Sequence, residues 1–369
     1  MKRFAFINHS IDIDEFKMNY PAIRLLPGIL INKLLKHSSL FKSAELEIRF
    51  DNITCKGWNI FCPLTEKEIT GLPKKKHLKR IVQTIKAAEK LGAEVVGLGG
   101  SLPAVPGLKE TIMAEGFKIC ITFGHNYSIF AAVEGVKLAA AARGYDMDQV
   151  TVAVLGATGY TGSVCAAILA SEVKNLVLAG DNQVKLRQMT NRILYDTGLP
   201  VKTVQSVKQV LNMSDIVFID VSSIGLEIRR EDFKTGAVIC FLRGEGISIE
   251  DLTILKILQN MVVLRNDLKF IDGGLVEIPG ISELAIDFRL PSGLVYPWMA
   301  ETLILTLGKN RYSILVDSLV DVKKVDALKE MAKSYGFGVR GYLEVCAANH
   351  HRHVRRESVV NRVTDHLRY

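Results

Sequence analysis

Thr151-Val-Ala-Val-Leu-Gly156-Ala-Thr-Gly159-Tyr-Thr-Gly162-Ser-Val-Cys165 decides how the chain folds. Five apolar-rich residues predict a buried strand, a glycine-spaced turn follows, and Val164 to Leu169 predicts an apolar helix. The glycines stand as G-x-x-G-x-x-G, a variant of the dinucleotide fingerprint G-x-G-x-x-G, with Ala157 and Thr158 in the first turn. Gly156 permits the tight turn, Gly159 has no Cβ to hold a pyrophosphate away, and Gly162 lets helix and strand pack closely. The helix N-terminus then offers free N–H groups and a positive dipole end to phosphates, and Tyr160 and Thr161 are candidate cofactor-binding residues with the turn.

Downstream, apolar runs at 151–155, 175–179, 200–204, 215–221 and 236–241 alternate with helical or turn segments. That alternation predicts an α/β fold with a doubly wound parallel sheet of the Rossmann type. Val262 to Leu264 reads as an added strand, and Phe270 to Glu277 as a strand broken by a turn at Gly273 and Gly274.

Upstream, Phe4 to His9 reads as a first strand. Glu45 to Phe50 and Ile53 to Phe61 read as a hairpin turning at Asp51-Asn52. Leu78 to Leu91 is an amphipathic helix stopped by Gly92. Glu94 to Gly100 is a strand entering a glycine turn, and Phe117 to Thr122 is another strand. A turn, Gly124 to Ser128, leads into a helix from Ile129 to Arg143. The expected division is an N-terminal α/β substrate domain over 1–128, a linking helix over 129–149 and the dinucleotide-binding domain over 150–275. Helices over 276–340 are expected to return to the first domain, followed by a basic tail over 341–369.

The second strand ends in Ala179-Gly180-Asp181-Asn182, where this kind of unit carries an acid about 20 residues beyond the glycines. A carboxylate at Asp181 accepts from a ribose 2′-hydroxyl and repels a 2′-phosphate, so NAD(H) is favoured and NADP(H) is the alternative. Lys185 offers a phosphate a cation, and Asp181 equally suits a helix N-cap. Asn182 belongs to the same contact surface, and Ser222 and Ser223 are expected on the nicotinamide-ribose side.

The 369 residues are ordinary in charge content and rich in apolar residues, which argues for a large core and against extensive disorder. The six cysteines, at 55, 62, 120, 165, 240 and 346, form no C-x-x-C pair, as expected of reduced thiols in a cytoplasmic protein. The N-terminus turns polar too early for a secretory signal, and the most apolar stretch, Ile129 to Ala142, is too short to span a bilayer. The net charge of +8 gathers in Pro73 to Lys90 and in His350 to Tyr369. The first patch suits nucleic acid, an anionic membrane or an acidic partner such as an acyl carrier protein, and equally a solvated face. No interleaved aromatics or known module point to nucleic acid. Assembly is left open, with a homodimer carried as one outcome.

Hydride chemistry at a carbon bearing oxygen or nitrogen needs a polar group beside the cofactor. Gly124-His125-Asn126-Tyr127-Ser128 is the best supplier. Tyr127 or His125 is the candidate proton donor, and Asn126 or Ser128 the candidate substrate-orienting group. His125 equally suits a satisfied loop histidine, and Ser128 an N-cap. Gly99 and Gly100 offer close backbone approach, or only a turn. The His350-His351-Arg352-His353 run has no accompanying carboxylate or cysteine constellation, so no native metal is expected.

Gly97-Leu-Gly-Gly100, Thr122 to Ser128, Val152 to Gly159 with Gly162-Ser163, Asn182-Gln183, Asp272 to Glu277 and Ala300-Glu301 share a pattern with a known family. In these stretches, and in their order, the chain from about Phe4 to Gly338 resembles the cyanobacterial-type long-chain acyl-acyl-carrier-protein reductases. Relatives of that family are often labelled predicted amino acid dehydrogenases. The resemblance implies a substrate domain, a nucleotide domain, and reduction of an acyl thioester to an aldehyde through a cysteine acyl-enzyme. It also marks Glu277 and Glu301 as candidate binding, proton-relaying or purely structural residues.

Two departures follow from the same comparison. Trp298 stands where the family's nucleophilic cysteine belongs, and an indole forms no thioester. Trp298 is therefore a candidate substrate-binding residue. Asp181 stands where the family carries an arginine suited to NADPH. Cys120, on the strand before the Gly124 turn, is the substitute thiol to consider, although a buried strand cysteine is more often core.

The expected function is an NAD(P)(H)-dependent oxidoreductase acting without an acyl-enzyme. Its substrate would be an aldehyde, ketone, hydroxy- or amino-acid derivative, free or carrier-bound. The alternatives are acyl-thioester reduction to an aldehyde, and a catalytically inactive dinucleotide-binding sensor or complex partner.

Overall fold

The structure is a computed structural model that describes residues 1–10, 25–28, 30, 41–50, 53–69, 75–220, 228–242, 268–279, 290–308, 322–347 and 354–360. Two sheets carry it. The first is built from β1 (Lys2–Ser10), β2 (Phe41–Phe50), β3 (Ile53–Thr65), β4 (Val95–Leu98) and β5 (Cys120–Thr122), in the order β2-β3-β1-β4-β5. All neighbours are parallel except β2 and β3, which pair antiparallel up to Phe50 opposite Ile53. The expected hairpin is therefore present, while Asp51 and Asn52 lie outside the described residues. Strand β5 is shorter than the expected 117–122 run.

On one face of this sheet lies α1 (Lys75–Lys90), which buries Ile81, Ile85 and Ala88 against a core shared with Ala5, Ile60 and Val96. Gly92, at φ +88°, ends that segment in a conformation open to glycine. The short α2 (Leu108–Glu115) packs beside it through Leu108 and Ile112.

The second sheet contains β6 (Thr151–Leu155), β7 (Asn175–Ala179), β8 (Lys202–Thr203), β9 (Ile216–Asp220), β10 (Val238–Leu242) and β11 (Lys269–Glu277). These six lie in the order β8-β7-β6-β9-β10-β11, and every pairing among them is parallel. Numbered from β6, that is 3-2-1-4-5-6, the doubly wound Rossmann order. Helices α4 (Tyr160–Leu169), α5 (Gln183–Thr197) and α6 (Val207–Met213) make the crossovers, and α3 (His125–Ala141) precedes the first strand.

Four further boundaries differ from the sequence expectation. The third strand of this sheet is only two residues, both exposed, because Lys202 and Thr203 form an edge with little to bury. The Gly124–Ser128 turn is largely helix: α3 begins at His125, so these side chains sit in its first turn. β11 is one continuous strand with a register shift between Ile271 and Gly274, not two pieces, and Gly273 takes φ +107° there. Finally, the tail expected from 341 onward begins inside a strand. β13 (Gly338–Ala347) pairs antiparallel with β11, and β14 (Val354–Val360) pairs with β13. The short β12 (Leu294–Val295) also pairs with β11. The expected strand at Val262 to Leu264 lies outside the described residues.

Helix α7 (Pro297–Leu307) and α8 (Val322–Ser334) return to the first sheet. Met299, Leu303 and Ile304 of α7 share a core with Phe4 and Phe6 of β1, and Leu328 of α8 joins them. Strand β11 ties the two sheets together. Its Ile271 belongs to the core under α3 and α4, while its Val276 belongs to the core around α7. Glycines make that tie close, since a Cβ on Gly135 of α3 would lie 2.9 Å from Cα of Gly274.

Candidate functional site

The glycine turn follows β6 at the point where strand order reverses, between β7 and β9. Gly156 takes φ +79°, the left-handed region that favours glycine. A Cβ on Gly162 would overlap the carbonyl oxygen of Gly156, so the third glycine presses helix α4 against the turn. Gly159 is the N-cap, with extended backbone and no side chain capping the helix. Ala157 is buried, and its N–H donates to Ala179 O at 2.9 Å, extending the β6–β7 ladder. Tyr160 is half-buried and Thr161 buried in the first turn of α4. The uncapped N-terminus and the missing Cβ atoms form a cradle that fits a pyrophosphate.

Beside the turn, Thr158 Oγ1 donates to Asp181 Oδ1 at 2.7 Å. That hydrogen bond holds the exposed Asp181 carboxyl below the usual carboxylate range. Gly180 makes the approach possible, since a Cβ there would lie 2.6 Å from Cγ2 of Thr158. Asp181 does not cap α5. Asn182 does, accepting from Lys185 N at 3.0 Å. Ser222 and Ser223 lie outside the described residues.

Sequence reasoning missed Asp220. It ends β9, is fully buried, and its Oδ2 accepts from Gly162 N at 3.1 Å. An acid closing the strand beside the switch point was the available signal.

The second group of residues lies at the C-terminal ends of β1, β4 and β5. Gly124 takes φ +72° and starts α3. Glu301 of α7 is fully buried below it. Thr122 Oγ1 donates to Glu301 Oε1, and Tyr127 N donates to Glu301 Oε2 at 2.8 Å. Thr122 Oγ1 in turn accepts from Gly124 N at 2.9 Å. Burial raises the Glu301 carboxyl to about 7, against the lowering effect of the bonds from Thr122 and Tyr127. Both its oxygens are occupied, so it acts as the cap that α3 lacks locally.

Trp298, one turn earlier on α7, lies between two backbones. A Cβ on Gly99 would overlap its ring, and a Cβ on Gly124 would overlap its own Cβ. Its ring stands edge-on to Phe6 at 5.5 Å between centroids. Gly100, at φ +62°, lies against His9, whose Nε2 accepts from Ser101 N at 2.9 Å. His9 too was missed from sequence. A histidine closing the first strand was the signal.

The remaining candidates separate. His125 is half-buried and meets Phe123 at 5.8 Å. Burial first, and Lys109 second, push its imidazole down to about 4, so it is neutral at pH 7. Asn126 is buried. Ser128 is not an N-cap, because its Oγ donates back to Gly124 O at 2.7 Å. Tyr127 does not face a cleft. It is among the largest fully buried side chains, packed against Phe130 at 5.5 Å, and burial raises its phenol pKa. Glu277 is exposed and pairs with Arg340 at 3.1 Å, a surface contact at the end of β11. Cys120 is buried at the start of β5, two residues before Thr122, in the core that also holds Leu303. The two carboxylates and the phenol are thus not gathered into one proton-transfer cluster.

Residues 142–150 connect α3 to β6. Lys137, in the second half of α3, pairs at 2.9 Å with Glu172, just beyond the C-terminus of α4. This pair and the core shared by Val133, Val136, Val164 and Cys165 pack α3 beside α4.

Among the described residues no group of three or more His, Cys, Asp or Glu could hold a metal ion, and the His350–His353 run lies outside them. No helix among them is long and apolar enough to cross a membrane.

Fold and site together define a two-sheet α/β protein with a Rossmann sheet and a glycine cradle at its switch point. No protein-family profile matches the chain. It is 24% identical over 319 residues to aminotransferase PigE of Serratia sp. (strain ATCC 39006), a match covering 84% of this chain and 34% of that protein. The chain thus spans about a third of the length of the curated relative it matches. Among solved structures, L-tryptophan dehydrogenase from Nostoc punctiforme superposes with a TM-score of 0.38 at 15% identity, covering 90% of this chain and 80% of that one. Quinate dehydrogenase from Corynebacterium glutamicum, in complex with NAD, gives 0.29 at 14% identity, over 65% of this chain and 79% of that one. Superpositions this loose assign no activity.

Proposed function

We propose that the protein is an NAD(P)(H)-dependent oxidoreductase that moves hydride to or from a carbonyl or imine carbon without a covalent acyl-enzyme. The observation that carries this is the glycine cradle seated at the switch point of a sheet in Rossmann order. Gly156, Gly159 and the first turn of α4 would hold the pyrophosphate, and Asp181, oriented by Thr158, would accept from the adenosine ribose. When bound, a nicotinamide supplies or takes the hydride. Asp181 favours NAD(H) over NADP(H) by charge.

Of the proposed proton donors, His125 is the one left at the open end of α3. As a neutral imidazole it would hydrogen-bond a substrate oxygen or nitrogen through a ring nitrogen, rather than act as a standing cation. Glu301 and Thr122 hold the Gly124 turn that presents it. Trp298 and Gly99 would border the substrate, with Phe6 behind the indole.

The resemblance to acyl-acyl-carrier-protein reductases keeps thioester reduction as an alternative, but Cys55, Cys62, Cys120, Cys165 and Cys240 are all buried, and Cys120 is core. The filling of the edge by Trp298 favours a second reading, a dinucleotide-binding protein without turnover. An acidic carrier protein remains the proposed partner for α1, where Lys75, Lys76, Lys79 and Lys90 are exposed. Lys86 is paired with Glu115, and Arg80 donates to Pro63 O.

Titration with NAD, NADH, NADP and NADPH tests the reading, followed by NADH oxidation over thioesters, aldehydes, ketones and imino acids. Binding with turnover of an aldehyde, ketone or imine supports it. Binding without any turnover favours the second reading, and absence of dinucleotide binding removes both.

A further inference from the structure

The two glycines that flank Trp298 belong to different loops, one after β4 and one after β5, and each leaves out the Cβ that would collide with it. Pro297 and Met299 beside it follow the helix, but the indole itself lies across the ends of the strands, edge-on to Phe6. The side chain is half-buried, so part of its surface faces the open end while the rest closes the gap between the loops. A third glycine contributes: a Cβ on Gly97 would overlap the Thr302 hydroxyl, which donates to Trp298 O at 2.8 Å and holds that helical turn against β4. The backbone and Cβ of Trp298 are thus held at Gly124 and through Thr302, and its ring lies between Gly99 and Phe6. An indole fixed in this way is a wall, because it has no room to swing aside when a ligand enters.

From this packing we infer that Trp298 sets the size limit of the substrate. It excludes chains that extend past the reacting carbon between Gly99 and Gly124, and admits short or compact carbonyl compounds. This rests on the oxidoreductase reading above for its kinetic readout, but not for its physical content. Removing the indole leaves an apolar gap bordered by Phe6 and two glycine backbones, and an apolar gap of that kind takes up apolar molecules.

The test compares the full chain with Trp298→Ala and the milder Trp298→Phe, which keeps a ring against Phe6. NADH oxidation is followed with propanal and with decanal, and 1-decanol binding is followed by calorimetry. The kcat/KM ratio of decanal to propanal is expected to rise on the order of tenfold or more in Trp298→Ala, and less in Trp298→Phe, as removal of several buried contacts to a chain implies. A ratio unchanged in both folded variants overturns the inference. If no aldehyde is turned over by any of the three proteins, the oxidoreductase reading is left to its own screen of ketones and imino acids, and calorimetry decides the wall. Decanol binding by either variant but not by the natural chain supports the wall. Equal binding, or none, overturns it. Should Trp298→Ala fail to fold, Trp298→Phe decides by the same two measurements.

Discussion

The backbone N–H of Tyr127 donates to Oε2 of Glu301 over 2.8 Å, joining the first turn of α3 to the middle of α7 across 174 residues of sequence. Each helix lacks something the other supplies. Helix α3 starts at a glycine with no capping side chain, and α7 carries a buried carboxyl that needs donors. The pair explains why a residue matched to a family glutamate need not touch substrate. It holds the turn on which His125 stands.

Glu301 makes stability pH-dependent with a definite sign. Its carboxyl titrates near 7 folded, against an ordinary value of 4.5. The folded state binds the proton more tightly, so this contribution is complete below about 4.5 and is lost as pH rises through about 7, a total of roughly 3 kcal/mol. Urea unfolding of Glu301→Gln should lack this slope while keeping a neutral partner for Tyr127 N. An identical pH dependence in the two proteins would refute the assignment.

Gly162→Ala should disturb the cradle. The new Cβ would overlap Gly156 O, which is backbone and cannot turn away. Overpacking of this kind costs about 1–3 kcal/mol. NADH affinity, read by fluorescence titration, should fall more than global stability does. Unchanged affinity would mean that the turn does not hold the dinucleotide.

Asp220→Ala removes the buried acceptor for Gly162 N and should destabilise the fold by about 1–3 kcal/mol. Asp220→Asn keeps an acceptor oxygen and should recover much of that loss. Chemical unfolding of the two variants checks the order, and equal losses would show that the hydrogen bond is not the reason for the acid.

Asp181→Ala should weaken NADH binding by about tenfold, the scale of a hydrogen bond to a charged group, and should narrow the preference over NADPH. Calorimetric titration with both cofactors reads this. A preference that widens would count against the role given to Asp181.

Cys120→Ala should leave turnover within about threefold of the natural chain, because no acyl-enzyme is proposed. Its cost should fall on stability, as for any small core truncation. Loss of turnover with retained fold would restore the thiol as nucleophile.

The first of the two sheets was legible in its strands, its hairpin pairing and α1, because hydrophobic period and glycine stops are local signals. The six parallel strands of the second were legible for the same reason, although Lys202–Thr203 shrank where an edge strand buried little. The joining of β13 and β14 to β11 was not. β13 reaches β11 across a long stretch of sequence, and β14 joins the sheet only through β13.

At the site, the sequence by itself determined the glycine cradle and its acid. Backbone conformations open chiefly to glycine, and a strand–turn–helix period, are written in adjacent residues. The tertiary structure alone decided which polar groups are reachable. Tyr127 sits one helical turn from Gly124 yet points into the core, and Glu301 is spent on two donors brought from β5 and α3. Asp220 reaches Gly162 only because β9 lies beside β6. Burial and partnership depend on which elements pack together, and that is a property of the folded chain rather than of any stretch of it.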